Sequence, residues 1–219
     1  MREVSGTILL ATLLLLASGG TPGALGADRL PESAGGARDG EVASSPVDVK
    51  LPDLELLDQD GRAVRFGSDV VGDRVAVIDV FFTTCGLVCP ILTAIFADLQ
   101  DRLGDRLGRE VALVSVTVDP KTDIPRRLKE YAARFDARPG WSFLTGERHA
   151  VEGVLKGIGA YSPDYTAHPT MVLVGDGRDG GWMRFYGFPS PGQLLARIDE
   201  LRAARLAKAA GRGGNGPAR

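Results

Sequence analysis

Val75-Ala76-Val77-Ile78-Asp79-Val80-Phe81-Phe82-Thr83-Thr84-Cys85-Gly86-Leu87-Val88-Cys89-Pro90 is the stretch on which the reading of this chain turns. Its first eight residues form a nearly continuous apolar run, as in a strand buried on both faces. Its last eight carry Cys85 and Cys89, the only two cysteines among 219 residues. Just beyond, Ile91, Leu92, Ile95, Leu99 and Leu103 recur at helical spacing. The two thiols therefore stand where a buried strand gives way to a helix. Two thiolates at such a junction hold a soft metal ion or cycle as a dithiol.

Outward from this stretch, strands and helices alternate. Residues 54–57 and 63–66 flank Asp60-Gly61, which signals a hairpin. Residues 111–118 repeat the buried-strand pattern. Asp123 ahead of Pro125 reads as an N-cap with proline near the first turn of a helix to about residue 134. Residues 141–144 are a short strand and 148–158 a helix. Residues 170–174 and 182–186 are two further strands, joined by a Gly/Asp-rich connection over 175–181. Ser190-Pro191 opens a last helix bearing Leu194, Leu195, Ile198 and Leu201. The order predicts an α/β protein with a mixed sheet, of thioredoxin-like fold with an N-terminal β-hairpin extension. On that fold reactive cysteines sit at the end of the first core strand, where Cys85 and Cys89 are.

The ends differ in composition. Residues 1–27 hold one basic residue, an apolar run over 8–17 and then small residues, which predicts a secretion signal or an N-terminal membrane anchor. The run is short against the ~20 residues of a spanning helix. No cysteine lies near it, so a lipid anchor is not expected. Residues 28–46 read as a flexible tether, 47–209 as the folded domain and 210–219 as a disordered tail. Export to the periplasm or the extracytoplasmic face of the membrane permits disulfide formation. A net charge of −2 carries no basic footprint for nucleic acid.

The chain has two histidines. His149, at the start of a predicted helix, reads as a solvated surface residue. His168 stands in Tyr165-Thr166-Ala167-His168-Pro169-Thr170, ahead of the third core strand, in a loop that faces the cysteine site of a thioredoxin-like fold. Pro169-Thr170 there resembles the cis-proline–threonine pair that thioredoxins set against their dithiol. If the helix begins near Cys85 or a few residues later, four residues advance about 6 Å along its axis, and side chains at i and i+4 share a face. Two thiolates and an imidazole suit Cu(I), or Cu(II) with a further ligand. Zinc accepts them too, but structural zinc takes four protein ligands. Asp119, Asp164 and Tyr165 are the neighbours from which a fourth would come.

The segment Thr83-Thr84-Cys85-Gly86-Leu87-Val88-Cys89-Pro90 resembles the cysteine motif of the Sco/SenC family, thioredoxin-like copper chaperones of cytochrome c oxidase assembly. Val114-Ser115-Val116-Thr117-Val118-Asp119-Pro120, Leu128-Lys129-Glu130-Tyr131 and Pro139-Gly140-Trp141-Ser142-Phe143-Leu144-Thr145-Gly146 are similar to the same family. The resemblance implies copper held by Cys85, Cys89 and His168 and passed to the binuclear copper centre on an oxidase subunit. It also implies thiols that act on that subunit's cysteines, with other copper chaperones or thiol reductants as partners. Gly86, Ala167 and Pro169 depart from the family's usual residues, and Pro169 brings the loop closer to that of an ordinary thiol oxidoreductase. Three readings follow: a copper chaperone, an extracytoplasmic thiol–disulfide oxidoreductase in which Cys85 and Cys89 are catalytic, and a structural disulfide on a thioredoxin-like scaffold.

Overall fold

The computed structural model describes residues 42–213. The leader expected over 1–27, most of the tether and residues 214–219 lie outside them. In chain order the elements are β1 (Ser44–Pro46), β2 (Glu55–Leu57), β3 (Ala63–Arg65), β4 (Val75–Phe81), α1 (Val88–Leu103), β5 (Val111–Thr117), α2 (Pro125–Ala133), β6 (Trp141–Leu144), α3 (Arg148–Gly157), β7 (Met171–Asp176), β8 (Gly180–Tyr186) and α4 (Pro191–Gly213). Six strands form one mixed sheet in the order β1-β8-β7-β4-β5-β6, and β2 pairs with β3 in a separate hairpin. Strands β4, β5 and β6 run parallel, while β7, β8 and β1 are each antiparallel to their neighbour.

Alternation along β4 explains why every one of its residues is buried. Val75, Val77 and Phe81 face Leu92, Phe96 and Leu99 of α1, Leu128 and Tyr131 of α2, and Leu194 and Ile198 of α4. Ala76, Ile78 and Val80 face Val151 and Val154 of α3 together with Leu56, Phe66 and Val71. Both faces are thus covered, as parallel strands require. The hairpin extension is present and contributes to the second core through Leu56. It docks on the main body through reciprocal backbone bonds of Leu57 with Thr145, at 2.8 and 2.9 Å.

Three boundaries differ from the sequence reading. Residues 44–46, placed in the tether, pair with Phe185, Arg184 and Met183 as an edge strand. Edge pairing is made by backbone groups and needs no apolar periodicity, so composition gives no sign of it. Helix α4 continues to Gly213, four residues past the expected domain end at 209. Arg205 on this helix clasps the buried Asp176 carboxylate and the backbone carbonyl of Asp73. Helix α1 begins at Val88, three residues ahead of Ile91, where its apolar period starts.

Candidate functional site: a thiol pair beside a histidine cleft

Strand β4 ends at Phe81, and the chain then turns, with the Cys85 N–H donating to the Phe82 carbonyl at 3.1 Å. Cys85 lies in this loop rather than on the helix, so the i, i+4 geometry does not apply to the pair. Instead the Cys85 sulfur folds back over the start of α1 and accepts the Cys89 backbone N–H at 3.3 Å. The N-cap residue Leu87 makes no side-chain cap, and the Cys85 sulfur takes one of the N–H groups that a helix start leaves free. Cys89 sits in the first turn, buried against Phe81, Leu92 and Phe96. Cys85 is partly exposed, and the structure holds both cysteines as thiols.

The two sulfurs are electrostatically unlike. Burial pushes Cys85 upward, but the Cys89 thiol and the N–H groups of Cys89, Leu87 and Val88 point at its sulfur and bring it below the ordinary cysteine value. Burial pushes Cys89 up to about 12, and the Cys85 sulfur and the Asp79 charge add to this. Of the two, Cys85 is therefore the sulfur that favours the anionic form and Cys89 the one that keeps its proton. Behind Cys89 a short polar chain continues: Thr93 Oγ1 donates to the Cys89 carbonyl at 2.8 Å and pairs with the Tyr131 hydroxyl at 2.9 Å. Because the threonine proton is committed to the carbonyl, Tyr131 is the donor of that pair.

His168 is half-buried at the end of a short helical turn, Tyr165–Ala167. Its ring lies edge-on to Phe82, with centroids 5.9 Å apart, and Tyr165 packs on the same ring at 5.4 Å. Nδ1 lies 3.2 Å from the Pro169 carbonyl; with Nδ1 as donor, the lone pair falls on Nε2. Burial lowers the pKa of His168 and favours the neutral, ligating ring. The structure brings Cys85 and Cys89 together, while His168 packs on the Phe82 ring. Among the described residues no three His, Cys, Asp or Glu side chains stand close enough to share a metal ion.

His168 and Tyr165 instead line a cleft of 310 Å³ with Asp119, Lys121, Arg148 and Tyr161. Of the neighbours considered for a fourth ligand, Asp119 and Tyr165 share this cleft, while Asp164 turns back to accept from Thr166 N and Oγ1. His149 is exposed, as expected. Every peptide bond among the described residues is trans, so Pro169 does not adopt the cis form of the pair it resembles.

Asp123 is not the N-cap of α2. That position falls to Ile124, with no side-chain cap. The Asp123 carboxylate is fully buried and accepts from the Thr83 N–H, the Thr83 hydroxyl and the Thr117 hydroxyl. A second acid, Asp79, is 1 % exposed inside β4, with Oδ1 unpartnered and its pKa raised by burial to about 7. The signal for Asp79 was in the sequence: a carboxylate amid seven apolar residues of a buried strand is rare enough to mark.

A family model described as SCO1/SenC matches residues 44–198. A SCO1 protein homolog of Bacillus subtilis is 33% identical over 108 residues, covering 49% of this chain and 54% of the relative. The chain thus spans about half the length of the curated relatives it matches. The crystal structure of a SCO1/SenC family lipoprotein from Bacillus anthracis superposes with a TM-score of 0.60 at 26% identity, over 72% of this chain and 97% of that one. The structure of Bradyrhizobium japonicum ScoI with copper bound superposes with a TM-score of 0.57 at 24% identity, over 72% and 98% of the two chains.

Proposed function

The chain belongs to the SCO1/SenC family, and we propose that it is an extracytoplasmic copper carrier that receives a copper ion on Cys85, Cys89 and His168. The recipient we propose is the copper-bearing subunit of cytochrome c oxidase, as the family resemblance implies. The observation that carries this reading is the thiol pair itself. Two sulfurs within reach of one another at the mouth of the fold are a soft donor set, the kind that selects Cu(I). Cys85, partly exposed and lowered in pKa, is the entry ligand. Cys89, protonated at neutral pH, gives up its proton as it ligates, so uptake of the ion releases protons. His168 supplies borderline nitrogen through Nε2, and to do so the 161–170 loop brings the imidazole to the two sulfurs. A copper-bound structure among the relatives supports the cargo, and a lipoprotein among them supports the extracytoplasmic location.

A second reading has its own observation. A partly exposed thiol lowered in pKa beside a buried one pushed up to about 12 is the arrangement of an attacking and a resolving cysteine. As a reductant of oxidase-subunit cysteines, Cys85 would attack the partner's disulfide, and Cys89 would then displace it to leave the Cys85–Cys89 disulfide and two thiols on the partner. Metal analysis of the reduced chain separates the readings. The carrier retains copper and loses it in His168→Ala; a pure oxidoreductase retains none in either form while keeping its exchange activity.

A further inference from the structure

The cysteine loop and the wall of the histidine cleft are fastened to one buried group. Asp123 is fully buried and forms no ion pair among the described residues. One carboxylate oxygen accepts from Thr83 Oγ1 at 2.5 Å. The other accepts from Thr117 Oγ1 at 2.6 Å and from the Thr83 N–H at 3.0 Å. Thr83 precedes Cys85 by two residues, in the turn that closes on the Phe82 carbonyl. Thr117 is the last residue of β5, and its hydroxyl also accepts the Asp119 N–H at 3.0 Å. The Asp123 N–H in turn bonds the Asp119 carbonyl at 2.9 Å. Residues 119–122 of this turn line the cleft that holds His168. The carboxylate therefore spans the carboxyl ends of two adjacent parallel strands and joins the turn that leads to Cys85 to the turn that lines the cleft.

The geometry assigns Asp123 as a positioning residue that sets Cys85 and the His168 cleft in register for the cargo. It touches neither sulfur nor imidazole and acts through Thr83 and through the 119–122 turn. Two charge-assisted bonds from hydroxyls and one from an amide define the position of a loop that has no regular secondary structure of its own. Holding that loop spares the ordering cost that would otherwise fall on ligand binding. A carboxylate is suited to this because all three groups facing it are donors; an asparagine in its place turns an NH2 toward at least one of them.

The inference rests on the copper reading for one of its two measurements only. The first is amide hydrogen exchange of the reduced, metal-free chain. In Asp123→Asn the amides of Thr83, Thr84 and Cys85 exchange at least about tenfold faster than in the parent, the loss expected when a local bond network opens. The second is Cu(I) affinity by competition with a chromophoric chelator. It falls about tenfold or more in Asp123→Asn and in Thr83→Val, as pre-organisation is lost, and returns toward the parent in Thr83→Ser, which keeps the hydroxyl. Asp176→Asn, at the opposite end of the sheet and destabilised by loss of its partner Arg205, leaves both readouts at the parent's values. Unchanged exchange in Asp123→Asn, parent-like affinity in Thr83→Val, or an equal loss in Asp176→Asn overturns the assignment. A parent that takes up no Cu(I) overturns the copper reading instead, and hydrogen exchange then decides the role of Asp123 alone.

Discussion

Cys85 and Cys89 are four residues apart in sequence and far apart in chemistry. The difference comes from where the helix begins. Because α1 starts at Val88, its free N–H groups converge on the sulfur just outside it and not on the one within its first turn. A thiolate is the nucleophile, so the pair should label unequally. When the reduced, folded chain is treated with iodoacetamide at pH 7 and mapped by mass, modification of Cys85 should run at least about tenfold ahead of Cys89. Equal labelling would mean that burial and the helix start do not distinguish the sulfurs. Cys85 is partly exposed and Cys89 buried, which adds to the difference in labelling.

At the scale of elements, most of the architecture could be read from hydrophobic period. Strands β4 and β5 announce themselves as apolar runs, α1 by its 3–4 spacing, and the β7–β8 hairpin by its glycines and acids. Tight contacts inside these elements carry less sequence signal. Gly175 in β7 is an example: a Cβ there would fall 2.1 Å from the Trp182 indole on the neighbouring strand. Gly175→Ala should cost about 1–3 kcal/mol as an overpacked core, seen as a lower denaturation midpoint with an unchanged slope in urea. A midpoint equal to the parent's would mean the indole moves aside freely. The site was legible in part for the same reason. The strand–helix junction fixed the place of both cysteines, and chain order put His168 at the same end of the sheet. The packing of His168 and Tyr165 on the Phe82 ring follows from side-chain contacts, which no spacing rule encodes. Asp123 was misread because an acid two residues before a proline fits a local N-cap as well as a long-range acceptor. Its partner Thr83 lies 40 residues away, and only the folded chain shows which role wins.

Over the whole molecule, the sheet is closed on both faces, and that closure buries Asp79 without a partner for Oδ1. Burial raises its folded pKa from 3.8 to about 7, so between these values the folded state binds a proton that the unfolded chain has released. Stability from this group is therefore greatest at low pH and falls as pH rises through that window, by an amount of order a few kcal/mol. Asp79→Asn removes the dependence. Denaturation at pH 5 and pH 8 should show the variant gaining on the parent at the higher pH, and a constant difference between them would contradict the burial argument.

The fold, the thiol pair and the mobile reach demanded of His168 meet in one claim, that the molecule holds copper on two sulfurs and one imidazole. The measurement that tests it most directly is copper titration of the reduced chain, with pulsed electron paramagnetic resonance of the Cu(II) form, on the parent and on His168→Ala. The account predicts one copper per parent chain with imidazole nitrogen coupling, and loss of that coupling together with weakened retention in the variant. A parent that retains no copper, or a variant with the same coupling as the parent, would contradict it.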